Sequence, residues 1–126
     1  MKVSSTSYPR NKIKILLLEN ISDSAVAEMN ASGYLEIERL NGALSEAQLI
    51  AAVKGVHLIG IRSKTHITAK VIAAADKLVA IGCFCIGVNQ VDLKAATEKG
   101  VAVFNAPHAN TRSVAELVLA EAILLL

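Results

Sequence analysis

The segment Leu78–Phe84, which reads Leu-Val-Ala-Ile-Gly-Cys-Phe, decides the fold of this chain. It has no charged side chain and is apolar on both faces, which is typical of a strand buried inside a parallel sheet. Asp92 begins the helix that follows, Gly100 ends it, and Val101–Asn105 is predicted to be the next strand. A strand, a helix and a strand in this order predict two parallel strands joined by a right-handed crossover.

The same unit repeats towards the start of the chain. Ser45 and Gln48 form a capping-box pair at the start of one helix, and Gly33 is a left-handed end for another. The alternation of polar and apolar residues in Glu36–Leu40 predicts an edge strand. The predicted strands are Ile13–Glu19, Glu36–Leu40, His57–Arg62, Leu78–Phe84 and Val101–Asn105, and helices are predicted to begin near Ser22, Ser45, Thr68 and Asp92. This pattern predicts an α/β fold: a flavodoxin-like parallel sheet of five strands in the order 2-1-3-4-5, with helices on both faces.

The two ends of the chain differ from this repeating part. Residues 1–10 are polar and rich in serine and threonine, and we predict a flexible tail there. Residues 11–126 are predicted to form one domain, since a chain of 126 residues leaves no room for two. The last helix opens at a second capping box, Ser113 and Glu116, and reaches Leu126 without a terminating Gly, Asn or Pro. We therefore predict a domain fragment that is truncated in its last helix.

Composition excludes several classes of protein. Apolar residues make up 53% of the chain and charged residues 19%, which excludes a disordered chain. Aromatic residues make up only 3%, which argues against a domain that stacks nucleic-acid bases on aromatic rings. We expect a cytoplasmic location and no membrane or nucleic-acid partner, since neither a secretory signal nor a membrane-spanning run is present. Cys83 and Cys85 would share one face of a strand, and we predict two reduced core thiols and no metal site.

Ligands of open α/β sheets bind at the carboxyl ends of the strands, so the residues after each strand are the candidates. Arg62, Ser63 and Lys64 follow the third strand, and a guanidinium beside an ammonium suits a phosphate or a carboxylate. A solvated basic loop is the alternative interpretation. Gly87 follows the fourth strand, where it either allows close backbone approach or a positive φ, or simply makes a tight turn.

The fifth strand is followed by Asn105 and Asn110, whose amides can donate and accept hydrogen bonds, although Asn110 could equally cap a helix. The chain has no P-loop, no G-x-G-x-x-G and no G-x-S-x-G motif. The histidines His57, His66 and His108 have no orienting carboxylate nearby in sequence and are predicted to be surface or loop residues. We therefore predict no catalytic residue in this chain.

Three parts of the sequence resemble one family. They are Ile61–His66, Leu78–Leu93, and Phe104–Pro107 together with Asn110–Leu117. They are similar to the substrate loop, a signature segment and the interdomain hinge of phosphoglycerate dehydrogenases, a branch of the D-isomer specific 2-hydroxy acid dehydrogenases. Related dehydrogenases often have Arg-Ala-Gly where this chain has Cys-Phe-Cys at positions 83–85. That difference favours the phosphoglycerate branch over glyoxylate or formate relatives.

The resemblance implies that the whole protein oxidises 3-phosphoglycerate with NAD to 3-phosphohydroxypyruvate, the first step of L-serine biosynthesis, and is a homo-oligomer. The family's catalytic residues and NAD-binding glycines belong to a nucleotide-binding domain that has no counterpart here, so this fragment alone should be inactive. The implied substrate-binding residues are Arg62, Ser63, Lys64, Gly87, Asn105 and Asn110, and Ile86 would lie near the nicotinamide.

Other functions fit parts of the sequence. The chain could be a stand-alone module that binds phosphorylated acids or a partner without turnover, although the uncapped last helix argues against this. It could also be part of another 2-hydroxy acid dehydrogenase. A response-regulator receiver shares the strand order, but it needs an Asp after the third strand and a Lys after the fifth. Arg62 and Asn105 occupy those places, so the receiver is rejected.

Overall fold

Five parallel strands form one sheet in the computed structural model of the protein, which describes residues 9–85 and 87–105. The strand order is β2-β1-β3-β4-β5, so the predicted fold class is confirmed. The strands are β1 Lys14–Leu17, β2 Glu36–Arg39, β3 Leu58–Ile61, β4 Ala80–Cys83 and β5 Ala102–Asn105. The helices are α1 Asp23–Ala31, α2 Glu46–Ala52, α3 Ala69–Ala74 and α4 Leu93–Lys99, and a 3-10 helix, Arg10–Lys12, precedes β1. The predicted last helix lies outside the described residues.

The helix ends follow the local signals in the sequence. Ser45 and Gln48 make the reciprocal capping box at the start of α2. The side chains of Thr68 and Asp92 accept backbone hydrogen bonds at the starts of α3 and α4. Gly100 follows α4 in the left-handed conformation, with a φ of 77°. None of the helices in the described part of the chain has the length and hydropathy needed to cross a membrane.

The sheet carries a separate apolar core on each face. Helices α2, α3 and α4 pack on one face, where Leu16 of β1 joins a core of aliphatic side chains. Helix α1 packs on the other face, where Ala25 and Met29 are buried against Leu17. Successive residues of β1 therefore contribute to opposite cores, as expected for a strand covered on both faces. The helices lie on both faces of the sheet, as the sequence predicted.

The first strand is shorter than the predicted Ile13–Glu19. Regular pairing of β1 ends at Leu17, and the backbone of Glu19 and Asn20 then turns into the left-handed region, with φ values of 62° and 56°. Residues other than glycine rarely adopt this conformation, and two in succession are rarer still. The turn is secured by the N–H groups of Glu19 and Asn20, which donate to the carbonyls of Gly42 and Leu40 at 3.1 and 3.0 Å. The strand therefore ends in a sharp turn that buries the Glu19 side chain.

His57 lies in the loop just before β3, as one of the two predicted alternatives had it, but it is buried, so the surface alternative was wrong. Its Nδ1 accepts a hydrogen bond from the Lys14 backbone N–H at 3.0 Å, just before β1 and β3 begin to pair. Burial lowers the pKa of His57 below its ordinary value of 6.5, and the charges of Lys77 and Lys14 lower it further, against an opposing effect of Asp76. The neutral imidazole is the form that the fold accommodates.

His57 should make the stability of the protein depend on pH. Because the pKa of His57 is lower in the folded chain than in the unfolded one, its stabilising contribution is present above 6.5 and is lost as the pH falls through the folded value. We expect the free energy of unfolding, measured by urea denaturation, to decrease between about pH 7 and about pH 5. His57→Asn, which keeps an acceptor but does not titrate, should flatten that slope. The exposed His66 gives the matched control His66→Asn, and an equal flattening there would contradict the assignment.

Candidate functional site

Two clefts meet at the carboxyl edge of the sheet, one on each side of the loop that follows β3. The first has a volume of about 330 Å³ and contains Arg62, Ser63 and Lys64 together with Glu19 and the segment 41–43. The second has a volume of about 460 Å³ and is lined by the residues Arg62, Ser63, Phe84, Cys85, Gly87, Asn89 and Gln90. Arg62 and Ser63 line both clefts, so the loop forms the wall between them. The side chains of Arg62, Ser63 and Lys64 are exposed, as a ligand-binding loop requires.

The backbone of this loop is attached to Glu19, the residue in the left-handed turn after β1. The N–H groups of Arg62 and Thr65 donate to Glu19 Oε2 at 2.8 and 3.0 Å, and the N–H of Lys64 donates to Glu19 Oε1 at 2.9 Å. A buried carboxylate is stable only when hydrogen bonds satisfy its oxygens, and here the backbone supplies them. These N–H groups are consequently engaged within the protein. An external anion at this loop would meet the side chains of Arg62 and Lys64 instead.

The pKa of Glu19 reflects these contacts. Burial raises it, but hydrogen bonding from Thr65 and from the backbone N–H groups of Lys64 and Arg62 lowers it more, so it lies below its ordinary value of 4.5. The buried Thr65 hydroxyl contributes to the lowering of the Glu19 pKa, although it does not meet the geometry of a good hydrogen bond. Glu19 is therefore ionised at neutral pH.

Gln90, from the segment between β4 and α4, holds the other side of the loop. Its side-chain Nε2 donates to the carbonyl of Arg62 at 2.9 Å and to Cys85 Sγ at 3.0 Å. Its backbone carbonyl accepts from the N–H of Ile67 at 2.9 Å, just beyond the loop. The loop after β3 is thus fixed by one residue that follows β1 and one that follows β4. These two strands flank β3 in the sheet.

The remaining predicted site residues are distributed along the same edge. Gly87 is exposed and shares the second cleft with Arg62 and Ser63. Its φ is not positive, so the positive φ considered for Gly87 is wrong. The atom nearest to the position that a Cβ would occupy is Asn89 Oδ1, at 3.2 Å. Asn105 is the last residue of β5, in register with Cys83 of β4. Ile86 and Asn110 lie outside the described residues.

The functional class follows from comparison with known proteins. The family model of the D-isomer specific 2-hydroxyacid dehydrogenase catalytic domain matches residues 15–122. This chain belongs to the D-isomer specific 2-hydroxyacid dehydrogenases. The family resemblance predicted from the sequence is therefore confirmed, and the lining residues of both clefts lie within the matched catalytic domain.

Phosphoglycerate dehydrogenases are among the most similar relatives of this dehydrogenase-family chain. D-3-phosphoglycerate dehydrogenase of Escherichia coli K12 is 54% identical over 124 residues, which are 98% of this chain and 30% of that protein. D-3-phosphoglycerate dehydrogenase 1 of Saccharomyces cerevisiae is 55% identical over 116 residues, which are 92% of this chain and 24% of that protein. The chain thus spans less than a third of the length of these curated relatives.

Solved structures support the same family fold. The TT0316 protein of Thermus thermophilus superposes with a TM-score of 0.70 at 30% identity, over 86% of this chain and 35% of that one. NAD⁺-bound 3-phosphoglycerate dehydrogenase of Entamoeba histolytica superposes with a TM-score of 0.67, over 86% of this chain and 37% of that one. The identity to the second protein is 22%, so that likeness concerns the fold alone.

The two cysteines of this 2-hydroxyacid dehydrogenase domain differ in environment. Both contact the core beneath α2, α3 and α4, as their spacing predicted, and both are free thiols. Cys83 is fully buried, whereas Cys85 is only half-buried and lines the second cleft, so the prediction of two core thiols holds for Cys83 alone. Burial, followed by the proximity of Cys85 and Glu19, raises the pKa of Cys83 to about 12. Within residues 9–85 and 87–105, no cluster of His, Cys, Asp or Glu could hold a metal ion.

Thiol labelling should separate these cysteines. We expect iodoacetamide to modify Cys85 in the native protein and to leave Cys83 unmodified until the protein unfolds, because the thiolate is the reactive form. Peptide mass spectrometry after timed labelling measures both sites in one sample. In Cys85→Ser, the rapid phase should disappear, whereas Cys83→Ser should retain it. Equal labelling rates for the two native thiols would contradict this assignment.

Sequence reasoning located the loop of this dehydrogenase domain but missed what fixes it. Glu19 was counted as the last residue of a strand, and Gln90 was treated as part of a family signature. The segment 41–43, which completes the first cleft, was not considered. A weak signal was available, because a carboxylate directly after an apolar strand lies at the same edge as the other strand ends. Its backbone partners, however, lie more than 40 residues away.

Proposed function

We propose that this chain is the N-terminal part of the substrate-binding domain of an NAD-dependent D-3-phosphoglycerate dehydrogenase, which oxidises 3-phosphoglycerate to 3-phosphohydroxypyruvate in serine biosynthesis. The observation that carries the proposal is the 54% identity to the E. coli enzyme over 98% of this chain. The exposed cationic loop at the carboxyl edge of the sheet supports it, because the substrate carries both a phosphate and a carboxylate. We propose residues 11–126 as the domain fragment and residues 1–10 as a tail.

In this proposal the loop binds and orients the substrate. The guanidinium of Arg62 and the ammonium of Lys64 bind its anionic groups, and the Ser63 hydroxyl adds a hydrogen bond. Gly87 leaves room for the substrate beside the loop, since among the described residues other than its chain neighbours only Asn89 comes within 4 Å of the position that a Cβ would occupy. The proposal also assigns substrate contacts to Asn105 and Asn110, and a place near the nicotinamide to Ile86, as the family resemblance implies. No residue of this chain is assigned a catalytic role.

Neither the sequence nor the part of the chain that the structure describes contains a cradle for NAD itself. The sequence contains no glycine-rich turn of the dinucleotide-binding type, and in the loop after β3 the backbone N–H groups of Arg62, Lys64 and Thr65 already donate to Glu19. The cofactor would therefore be held by a further domain of the proposed enzyme, and this chain supplies substrate binding alone. A homo-oligomeric enzyme in the cytoplasm belongs to the same proposal.

A chimera tests the proposed function. This chain would replace the segment that it matches in E. coli D-3-phosphoglycerate dehydrogenase, and the purified chimera would be assayed for NADH formation from 3-phosphoglycerate and NAD. We expect turnover by the chimera and none by the 126-residue chain alone. A folded chimera that oxidises only other 2-hydroxy acids would favour another member of the family. A folded chimera without any turnover would support the binding-module alternative.

A further inference from the structure

The buried carboxylate of Glu19 has no role in the proposed binding of substrate, yet the chain adopts a strained backbone to place it. Glu19 and Asn20 both have positive φ, a conformation that is energetically unfavourable for residues other than glycine. Such strain persists only where the surrounding structure enforces it. Here the carbonyls of Gly42 and Leu40, in the segment that follows β2, hold the turn in place.

The carboxylate of Glu19 occupies a position in which an external anion could otherwise bind. Closely spaced backbone N–H groups that converge on one point form an anion-binding concavity, and Arg62, Lys64 and Thr65 direct theirs at Glu19. The negative charge is compensated by the backbone rather than by the neighbouring cations. Among the described residues, neither Arg62 nor Lys64 forms an ion pair with a carboxylate. Both cations are consequently left for a ligand.

Gln90 supplies a second, uncharged attachment to the same loop. It donates to the carbonyl of Arg62, which lies along the backbone between the N–H groups of Arg62 and Lys64, two of the three that contact Glu19. The loop backbone is therefore held on its N–H side by Glu19 and on a carbonyl by Gln90. Such attachment lowers the conformational entropy that the loop would lose when a ligand binds.

We propose that Glu19 is a positioning residue for substrate binding: its carboxylate fixes the backbone of the loop 62–65 so that Arg62 and Lys64 are preorganised for the anionic groups of the substrate. Gln90 assists in the same role. The identity of the substrate in this inference rests on the proposed function, whereas the positioning of the loop by Glu19 does not.

The test uses the chimera with Glu19→Gln, which removes the charge and retains the shape. Hydrogen–deuterium exchange followed by mass spectrometry should show about tenfold faster exchange in the peptide that contains the loop 62–65. The loop should open more often in this variant, because the loss of one hydrogen bond to a charged group is enough to change the opening equilibrium about tenfold. The KM for 3-phosphoglycerate should rise about tenfold, while kcat changes much less. Glu19→Ala should raise the KM more than Glu19→Gln does. Added formate should partly restore the original KM, because a formate ion can occupy the position of the missing carboxylate.

Controls separate positioning from a general loss of structure. The exposed Glu98 on α4 gives the matched variant Glu98→Gln, which should leave both loop exchange and KM unchanged. Gln90→Met should also increase loop exchange and KM, but less than Glu19→Gln does. If Glu19→Gln does not fold, the Gln90→Met variant tests the positioning role in its place. Unchanged loop exchange in these variants would overturn the inference. If the unsubstituted chimera fails to oxidise 3-phosphoglycerate, the proposed function fails, and the exchange measurement still decides the role of Glu19.

Discussion

Arg62→Ala in the chimera is expected to lower kcat/KM for 3-phosphoglycerate about a hundredfold, and Lys64→Ala at least tenfold. Each substitution removes charge-assisted hydrogen bonds worth about 1.5–3 kcal/mol, and each 1.4 kcal/mol corresponds to about a factor of ten. The larger effect is expected for Arg62 because a guanidinium can bind a phosphate through two parallel hydrogen bonds. Initial rates of NADH formation over a range of substrate concentrations give both constants.

A second substrate shows which anionic group the cations bind. D-glycerate retains the carboxylate and the 2-hydroxyl but lacks the phosphate, so the two substitutions should reduce its kcat/KM much less. The exposed Lys12 lies before β1, at the opposite edge of the sheet, and Lys12→Ala serves as the control for a lost positive charge. Equal losses for both acids would show that the two cations bind the carboxylate and not the phosphate, contrary to this expectation.

Gly60→Ala should strongly lower the stability of the protein. A Cβ at Gly60, within β3, would lie 2.6 Å from Leu17 Cδ2 and 3.1 Å from both Ile21 Cδ1 and Phe84 Cε1. Overpacking of this kind typically costs about 1–3 kcal/mol, because neighbouring side chains must leave their preferred rotamers. We expect a decrease of that size in the free energy of unfolding, measured by urea denaturation monitored by circular dichroism.

Gly42→Ala is the matched control, because a Cβ there would have no heavy atom within 4 Å and the backbone φ is not positive. The crowding at Gly60 can be tested further with Leu17→Ala, which removes the nearest atoms. In the double variant the two effects should be less than additive, since the added methyl group then occupies space vacated by Leu17. Full additivity, or equal destabilisation by Gly42→Ala, would contradict the packing argument.

Much of the fold was predictable because it depends on local signals. The capping box of Ser45 and Gln48, the caps Thr68 and Asp92 and the terminating Gly100 act within a few residues of their own helices. Strand order also followed, because alternating strands and helices leave few topologies open. The loop at Arg62 was located for the same reason, since a strand end is a local feature whose place in the sheet is set by topology.

The parts that were missed depend on contacts between distant segments. The burial of His57 was not predicted, because nothing near it in sequence indicates that its ring would accept the N–H of Lys14. Cys85 was predicted to lie in the core, although β4 ends two residues earlier, at Cys83. The buried position of Glu19 could not be read from its own segment either. A carboxylate after an apolar strand is ordinarily solvated, and its partners belong to a loop that only the paired sheet brings near.

The attachment of the loop after β3 to Glu19 links ligand binding to the folding of the whole sheet. The contacts that shape the loop join residues 43 to 46 positions apart, so they exist only once β1 and β3 have paired. A partly folded chain that lacks this pairing has the residues of the site but not its geometry. A ligand of the loop therefore binds the native chain alone, and by mass action it raises the melting temperature in proportion to the logarithm of its concentration. The same ligand would protect newly made chains from degradation, because its binding shifts the folding equilibrium from the unfolded to the native state.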